Sequence, residues 1–76
     1  MTNRYLHFGQ VIRHARESHA WSQEALAERA DLNRSYLGEI ERGVVVPSLH
    51  TMAKLALALD LKLSELVARC EETSAA

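Results

Sequence analysis

Three residues within the segment LNRSYLGEIERG carry complementary hydrogen-bonding groups. Arg34 presents a planar array of donors, Glu39 presents two acceptor oxygens, and Ser35 can both donate and accept. If the segment forms a helix, these side chains lie around one exposed polar face together with Asn33 and Tyr36. Such a face is suited to recognising a partner surface that has its own pattern of donors and acceptors.

Metal binding and catalysis have weaker support. His7 and His14 lie two helical turns apart, too far to share an ion without further ligands, and Cys70 is the only thiol. No nucleophile stands beside a recognisable base, and a helical chain of 76 residues leaves little volume for a buried pocket. We therefore expect neither a metal site nor an enzyme. Surface positions are expected for all the histidines, at positions 7, 14, 19 and 50.

The composition is that of one small folded domain. A length of 76 residues leaves room for one domain, and 47% hydrophobic residues with one proline and three glycines indicate a folded rather than a disordered chain. We expect a single domain over 1–76, with a core at about 5–70 and a frayed tail at 73–76. The net charge of −1 argues against binding a polyanion by charge alone, so such a function would depend on the placement of a few residues.

The sequence also indicates where the protein resides. Its longest dense apolar stretch, 55–59, is far shorter than the roughly 20 residues that cross a bilayer, and the N-terminus lacks the apolar region of a signal peptide. A single cysteine cannot form an internal disulfide, which agrees with a reducing compartment. We expect a cytoplasmic protein without membrane contact.

The spacing of apolar residues predicts the first two of five short helices. Helix 1, at about 5–19, follows the i, i+3, i+4, i+7 pattern of a single buried face. Ser22 is a suitable N-cap for helix 2, at 23–30, and Trp21 and Leu26 occupy the two positions of a hydrophobic staple. The residues that define the buried face of helix 1 are Phe8, Val11, Ile12 and Ala15.

Helix 3 follows after a break of about three residues. Asn33 is placed to cap a helix at 34–42, and Gly43 suits the position just after its end. The following Val-Val-Val run could be a strand, but it has no partner strand anywhere in the chain, and Pro47 favours an extended connection.

Helices 4 and 5 complete the predicted all-α fold. Ser48 should cap helix 4, which runs to about Leu59, and Ser64 should cap helix 5. The buried face of helix 4 is predicted to contain Leu49, Met52, Ala53, Ala56 and Leu59. That of helix 5 is predicted to contain Leu63, Leu66, Val67 and Cys70.

Helices 2 and 3, joined by so short a turn, must cross steeply and share one buried seam. Leu32 is expected to fill the corner, and Ala27 must be small for helix 3 to approach. This is the helix-turn-helix pattern, and it leaves the N-terminal half of helix 3 exposed. The seam is predicted to consist of Leu26, Ala30, Leu37 and Ile40.

Residues 8–67 resemble the helix-turn-helix domain of the phage repressor and Cro family. The elements SQEALAERA, IERG, PSL and LSEL occur in the order and spacing of that family. The resemblance implies a compact five-helix DNA-binding domain without a cofactor or small-molecule ligand, acting as a transcriptional regulator and usually as a homodimer. Asp31 departs from the family, which commonly has glycine there in a left-handed turn; Asp tolerates that conformation better than most residues.

The resemblance also implies which residues contact DNA. Arg34, Ser35 and Glu39 match base-reading positions, and their chemistry agrees, since Arg donates to guanine O6 and N7 while Glu accepts from cytosine N4. Asn33 and Tyr36 flank them and could touch a base or a phosphate. The face could instead be an ordinary solvated one, Glu39 could only orient Arg34, and Tyr36 could be half-packed.

Four further residues match other family positions. Gln23 is implied to hydrogen-bond a phosphate, although it could be only a helix-start residue, and Arg42 is a second candidate for a phosphate contact. Arg16 and Glu41 resemble a pair that ties helix 1 to the end of helix 3. They are therefore interpreted as support for the recognition helix rather than as DNA contacts.

One recognition helix reads only a few base pairs, so specificity normally requires two copies on neighbouring half-sites. Leucines near the carboxyl end exceed what one small core needs, although they could cap that core from several sides. The predicted two-fold interface consists of Leu57, Leu61, Leu63, Leu66 and Val67.

A protein-binding module, such as an antitoxin, remains an alternative function for the fold. The slight excess of acidic over basic residues and the apolar Val-Val-Val run keep this alternative open.

Overall fold

A computed structural model describes the backbone of residues 4–74 and the side chains of residues 7–71. It contains five helices and, within those bounds, no strand, which confirms the predicted all-α fold. The first four helices end within one residue of their predicted limits, and residues 44–46 form a connection. The helices are α1 (Arg4–Ser18), α2 (Gln23–Arg29), α3 (Arg34–Arg42), α4 (Leu49–Ala58) and α5 (Leu63–Ser74).

Side-chain caps fix where three of these helices begin. The hydroxyl of Ser22 accepts from the Ala25 N–H, and that of Ser48 accepts from the Thr51 N–H, as the sequence predicts. Asn33 caps α3 with its side-chain oxygen, as also predicted. These caps satisfy backbone donors that have no partner inside the helix.

Helix α5 begins differently from the prediction. Ser64 was expected to precede the helix, but it lies inside the first turn, because α5 starts at Leu63. The carboxylate of Glu65 accepts from the Lys62 N–H at 3.0 Å, so Lys62 occupies the capping position. The helix also continues through Ser74, two residues into the expected tail at 73–76; Ala75 and Ala76 lie outside the described residues.

The turns after the helices use the left-handed backbone region. Asp31, between α2 and α3, has a φ of 55°, which confirms the left-handed turn expected there, and the ammonium of Lys54 donates to its carbonyl oxygen at 2.8 Å. Gly43 has a φ of 75° just after α3, as predicted. Ala20 and Asp60 adopt the same region, with φ values of 58° and 60°. Alanine, unlike Asp, has no polar side chain whose hydrogen bond could offset the steric cost of this conformation.

The core is built from one buried face of each helix. The predicted seam between α2 and α3 is confirmed, since all its members and Ala27 are buried, while Leu32 is half-buried and packs against the core. The side chains that are completely enclosed or nearly so are those of Ile12, Leu26, Leu37, Ile40, Leu55, Leu59 and Leu66.

The predicted buried face of α4 is partly wrong. Leu49 is 67% exposed and Ala53 is also exposed, whereas Thr51 and Leu55 are buried. In a helix rich in leucine and alanine, apolar residues occupy more than one face, so periodicity alone does not decide which face turns inward. Ala56 and Leu59 are buried as predicted.

Gly9 allows α1 to approach the backbone of α3. A Cβ atom at position 9 would lie 2.8 Å from the carbonyl carbon of Glu41 and closer still to the carbonyl oxygens of Ile40 and Glu41. No other amino acid fits there without moving one helix. This close packing of α1 against the carboxyl half of α3 determines the position of α3 relative to α1.

No helix in the described part of the chain is long and apolar enough to cross a lipid bilayer.

Candidate functional site

The turn between α2 and α3 presents the amino-terminal half of α3 to solvent. Leu37 and Ile40 face the core and are completely buried, while Arg34 and Ser35 lie on the opposite side of the helix and are exposed. Glu39 is half-buried at the edge of this face. The polar face that the sequence predicts for α3 is therefore exposed.

A groove of about 280 Å³ runs along this face, between α3 and the start of α2. It contains two cationic and one anionic side chain. Among the residues whose side chains are described, no hydrogen bond or ion pair occupies Arg34, Glu39 or Arg42. Their donors and acceptors are thus available to a ligand. The groove is lined by Gln23, Arg34, Ser35, Gly38, Glu39 and Arg42.

Asn33 and Tyr36 are less available than their neighbours. The side-chain oxygen of Asn33 accepts from the N–H groups of Ser35 at 2.7 Å and Tyr36 at 3.4 Å, so only its amide donors remain free for a partner. Tyr36 is half-buried and packs against the hydrophobic core. Neither residue lines the groove.

Gln23 is tied to the carboxyl half of α3. Its side-chain nitrogen donates to Oε1 of Glu41 at 3.0 Å. One amide hydrogen and the amide oxygen remain, and that oxygen faces Gly38, lying 3.7 Å from where a Cβ at position 38 would stand. The bond to Glu41 therefore holds the Gln23 amide at the groove wall.

Arg16 and Glu41 form the pair expected between α1 and α3. The guanidinium of Arg16 donates to Oε2 of Glu41 at 2.8 Å and to Oε1 at 3.0 Å, and also to the carbonyl oxygen of Trp21 at 2.8 Å. The two side chains are only 12% and 3% exposed. Hydrogen bonding to Glu41 raises the pKa of Arg16 above its ordinary value. The pair lies behind the groove, and among the described contacts Gln23 is the one groove-lining residue whose side chain bonds to it.

Gly38 is a member of the groove that the sequence reading did not single out. A Cβ at position 38 would lie 3.2 Å from Nη1 of Arg42, a tight contact. A glycine in the middle of a helix costs about 1 kcal/mol relative to alanine. That cost is the one feature of the sequence that could have drawn attention to this position.

The histidines lie apart from one another. His14, His19 and His50 are exposed, as expected, while His7 is half-buried. The ring of His19 stacks on Trp21 at 4.3 Å between centroids, and its Nε2 lies 3.1 Å from the carbonyl oxygen of Leu59. Over the described residues, no group of three or more His, Cys, Asp or Glu side chains is arranged to hold a metal ion.

The five residues expected at a two-fold interface differ in exposure. Leu57 is 82% exposed, and Leu61, Leu63 and Val67 are half-buried. Leu66 is 0% exposed and belongs to the core, so its assignment to an interface is wrong. The spacing of apolar residues predicts that Leu66 lies on the inward face of α5. That face packs in the core of a single molecule, so Leu66 is not available for contact with a second copy.

Comparison with known proteins gives a family match over most of the chain. The family model described as helix-turn-helix matches residues 12–66. The control protein C.BamHI of Bacillus amyloliquefaciens is 39% identical over 79 aligned positions, which cover 95% of this chain and 98% of that protein. The immunity repressor protein of Bacillus phage phi105 is 45% identical over 65 positions, which cover 86% of this chain but only 44% of the repressor.

A solved structure agrees with the sequence match. The restriction-modification controller protein C.AhdI from Aeromonas hydrophila superposes with a TM-score of 0.79 and is 45% identical, over 82% of this chain and 94% of that protein. The superposition therefore covers nearly all of a protein of similar size.

Proposed function

The chain belongs to the helix-turn-helix family of DNA-binding transcriptional regulators, of the phage repressor and Cro type, and from this premise we propose that it binds a roughly palindromic operator as a homodimer. The α3 helix enters the major groove and reads bases in each half-site. The protein acts in the cytoplasm by occupying its operator, and this function needs no cofactor and no catalytic group.

The observation that carries this proposal is the groove along α3, in which Arg34, Glu39 and Arg42 have no hydrogen bond or ion pair with any described side chain. Arg34 is exposed and has no hydrogen bond or ion pair with any described side chain, so its guanidinium can donate two hydrogen bonds to guanine. Ser35 stands beside it and can donate or accept, and Glu39 can accept from the amine of cytosine. These three residues carry the base reading, and Asn33 and Tyr36 at most supplement it.

Contacts to phosphate fix the register of the helix on DNA. The remaining amide hydrogen of Gln23 supplies one such contact from the start of α2. Because Gln23 is already held by Glu41, and Glu41 by Arg16, binding DNA costs little additional ordering of this side chain. Arg16 and Glu41 act in this way without touching the DNA.

We propose a homodimer because the exposed face of one α3 helix is small. A single helix contacts only a few base pairs, and two copies on half-sites centred about 34–36 Å apart double the site that is read. Leu57, which is 82% exposed, is the most exposed residue of the proposed contact between copies, which also includes the half-buried Leu61, Leu63 and Val67. Burial of such side chains between two copies stabilises the pair.

Selection of bound sequences from random duplex DNA tests this function. We expect wild-type protein to enrich a two-fold symmetric sequence, and Arg34→Ala to bind that sequence about 5- to 150-fold more weakly in a gel-shift titration, the loss of one bidentate base contact. Arg13→Ala is the matched control, because Arg13 is also an exposed helical arginine but pairs with Glu17 on α1. Wild-type protein that prefers no DNA sequence would favour the protein-binding alternative, for which exposed Val44 and Val46 offer an apolar surface.

A further inference from the structure

We propose that Arg42 reads a second guanine in each half-site, and that Gly38 is the residue that gives its side chain room to do so. The inference rests on the proposed function, since it assigns a base to a residue of the same groove. It replaces the phosphate contact that the sequence suggested for Arg42.

The direction of the Arg42 side chain is the first argument. Arg42 is the last residue of α3, and a side chain extended away from the helix end would lie beyond the groove. Its Nη1 atom instead lies 3.2 Å from the place of a Cβ at position 38, one helical turn earlier. The guanidinium is thus folded back along the helix, in the direction that helical side chains favour, and lines the groove together with Arg34, Ser35 and Glu39.

The second argument is that none of the side chains described, at 7–71, bonds to this guanidinium. Both oxygens of Glu41 are taken, by Arg16 and by Gln23. Glu39 makes no ion pair with Arg42, and the described side chains include no other partner for it. A guanidinium that lines a groove and has no bond to the described side chains can donate to the paired acceptors O6 and N7 of guanine.

The spacing of the two arginines predicts the spacing of the two guanines. Eight residues separate Arg34 from Arg42, about 12 Å along a helix axis, and the backward fold of Arg42 reduces this to as little as about 6 Å. One base pair rises about 3.4 Å. Because a recognition helix lies along the major groove rather than parallel to the duplex axis, this distance sets an upper limit, and the two guanines should lie no more than about four base pairs apart in the half-site.

Gly38 acts on DNA only through Arg42. An alanine methyl group would meet Nη1 at 3.2 Å and force the guanidinium to shift by a few tenths of an ångström out of line with a guanine, but it would touch no backbone, because the other neighbour is the Gln23 side chain at 3.7 Å. Alanine also favours the helix over glycine. Gly38→Ala should therefore keep or raise the melting temperature while weakening base recognition, a combination that a merely structural glycine would not give.

The test measures discrimination at each guanine of the sequence selected by wild-type protein. Each guanine is replaced by adenine in turn, and affinities are titrated for wild type, Arg34→Ala, Arg42→Ala, Arg42→Lys and Gly38→Ala, with melting temperatures as the control for folding. We expect wild type to lose about 5- to 150-fold at two guanines. Arg34→Ala should stop discriminating at one of them and Arg42→Ala at the other. Arg42→Lys should bind the wild-type sequence more weakly and lose much of the discrimination at that guanine, since lysine lacks the planar fork.

Other results would overturn the inference. If Arg42→Ala weakens every sequence by the same factor and still discriminates at both guanines, Arg42 contacts phosphate. If Gly38→Ala discriminates as wild type does, the role of Gly38 is wrong. In either case discrimination that depends on Arg34 would leave the proposed function intact, whereas wild-type protein without any preferred sequence would overturn that function and this inference together.

Discussion

The guanidinium of Arg16 in α1 binds both carboxylate oxygens of Glu41 in α3, at 2.8 and 3.0 Å, in a largely buried position. Gln23 at the start of α2 donates to the same carboxylate. One acidic side chain therefore joins three helices directly behind the groove. The network positions both α3 and the Gln23 amide before any DNA arrives, which is the condition for specific contacts at low ordering cost.

Removing one partner of this pair should strongly destabilise the fold. Arg16→Ala leaves the buried carboxylate of Glu41 with one neutral donor, and we expect a loss of about 3 to 5 kcal/mol in the free energy of unfolding. Urea denaturation measures this. Arg13→Ala, which removes an exposed ion pair on the same helix, should change stability by less than about 0.5 kcal/mol. An Arg16→Ala variant that loses DNA affinity but keeps its full stability would show that Arg16 is a DNA contact instead.

The helix-turn-helix could be predicted because its signals are local. Caps at Ser22, Asn33 and Ser48 and the terminal Gly43 depend on residues within one turn of each helix end, so they are visible in the sequence. The seam of α2 and α3 follows from one regular pattern on either side of a short turn. The exposed polar face of α3 could be found in the same way, whereas the base-reading roles of its residues are what the family resemblance implies.

The features that were missed depend on residues distant in the chain. Gly9 is small because it meets the backbone at Ile40 and Glu41, and nothing near position 9 indicates which helix approaches it. The inward face of α4 is likewise decided by its neighbours, so Leu49 was wrongly predicted to be buried. The fold of Arg42 over Gly38 is a rotamer choice, which a sequence pattern does not specify.

Gly9→Ala should destabilise the protein by about 3 kcal/mol or more. The added methyl group would overlap the backbone of α3, which cannot yield without displacing the helix, and overpacking of this kind commonly costs about 1–3 kcal/mol even among side chains. Thermal unfolding followed by circular dichroism measures the effect. Gly38→Ala is the matched control, since the same change there meets only side-chain atoms. Equal melting temperatures for the two variants would contradict the close approach of α1 and α3.

Ala20→Gly should stabilise the protein by up to about 1 kcal/mol. Ala20 has a φ of 58°, a conformation that costs an L-residue about 1–2 kcal/mol and glycine almost nothing, and the greater freedom of glycine in the unfolded chain offsets part of this gain. Ala53→Gly is the control, because Ala53 is exposed in the middle of α4 and should lose about 1 kcal/mol. Urea denaturation of both variants should thus give changes of opposite sign, and a loss at both positions would contradict the left-handed conformation of Ala20.

Cys70 should react slowly with thiol reagents at mildly alkaline pH. Burial raises the pKa of its thiol and the charge of Glu71 raises it further, so the folded protein holds less of the reactive thiolate than an unfolded chain at the same pH. Because the folded pKa of this acid is raised, the thiol's contribution to stability is fully present below the unfolded pKa and is lost as pH rises through the folded pKa. The reaction rate should therefore increase at a higher pH in native buffer than in urea. Coinciding profiles would contradict the shift.

Leu57→Lys should separate the proposed dimer without unfolding the monomer. Leu57 is 82% exposed, so a lysine there costs one copy almost nothing, but it would place two charges in the apolar contact between copies. We expect light scattering at micromolar concentration to give a dimer for wild type and a monomer for Leu57→Lys. The melting temperature measured in dilute solution should stay the same.

DNA affinity then shows whether Leu57 belongs to a dimer interface or is only exposed to solvent. The separated protein must bind its two half-sites independently, so Leu57→Lys should bind the selected operator far more weakly than wild type, although the new positive charge alone would strengthen binding. Val44→Lys is the matched control, because Val44 is also an exposed apolar residue, at 63%, and lies outside the proposed contact. A Leu57→Lys protein that remains dimeric would exclude this face, and wild-type protein that is monomeric at micromolar and higher concentration would exclude the dimer itself.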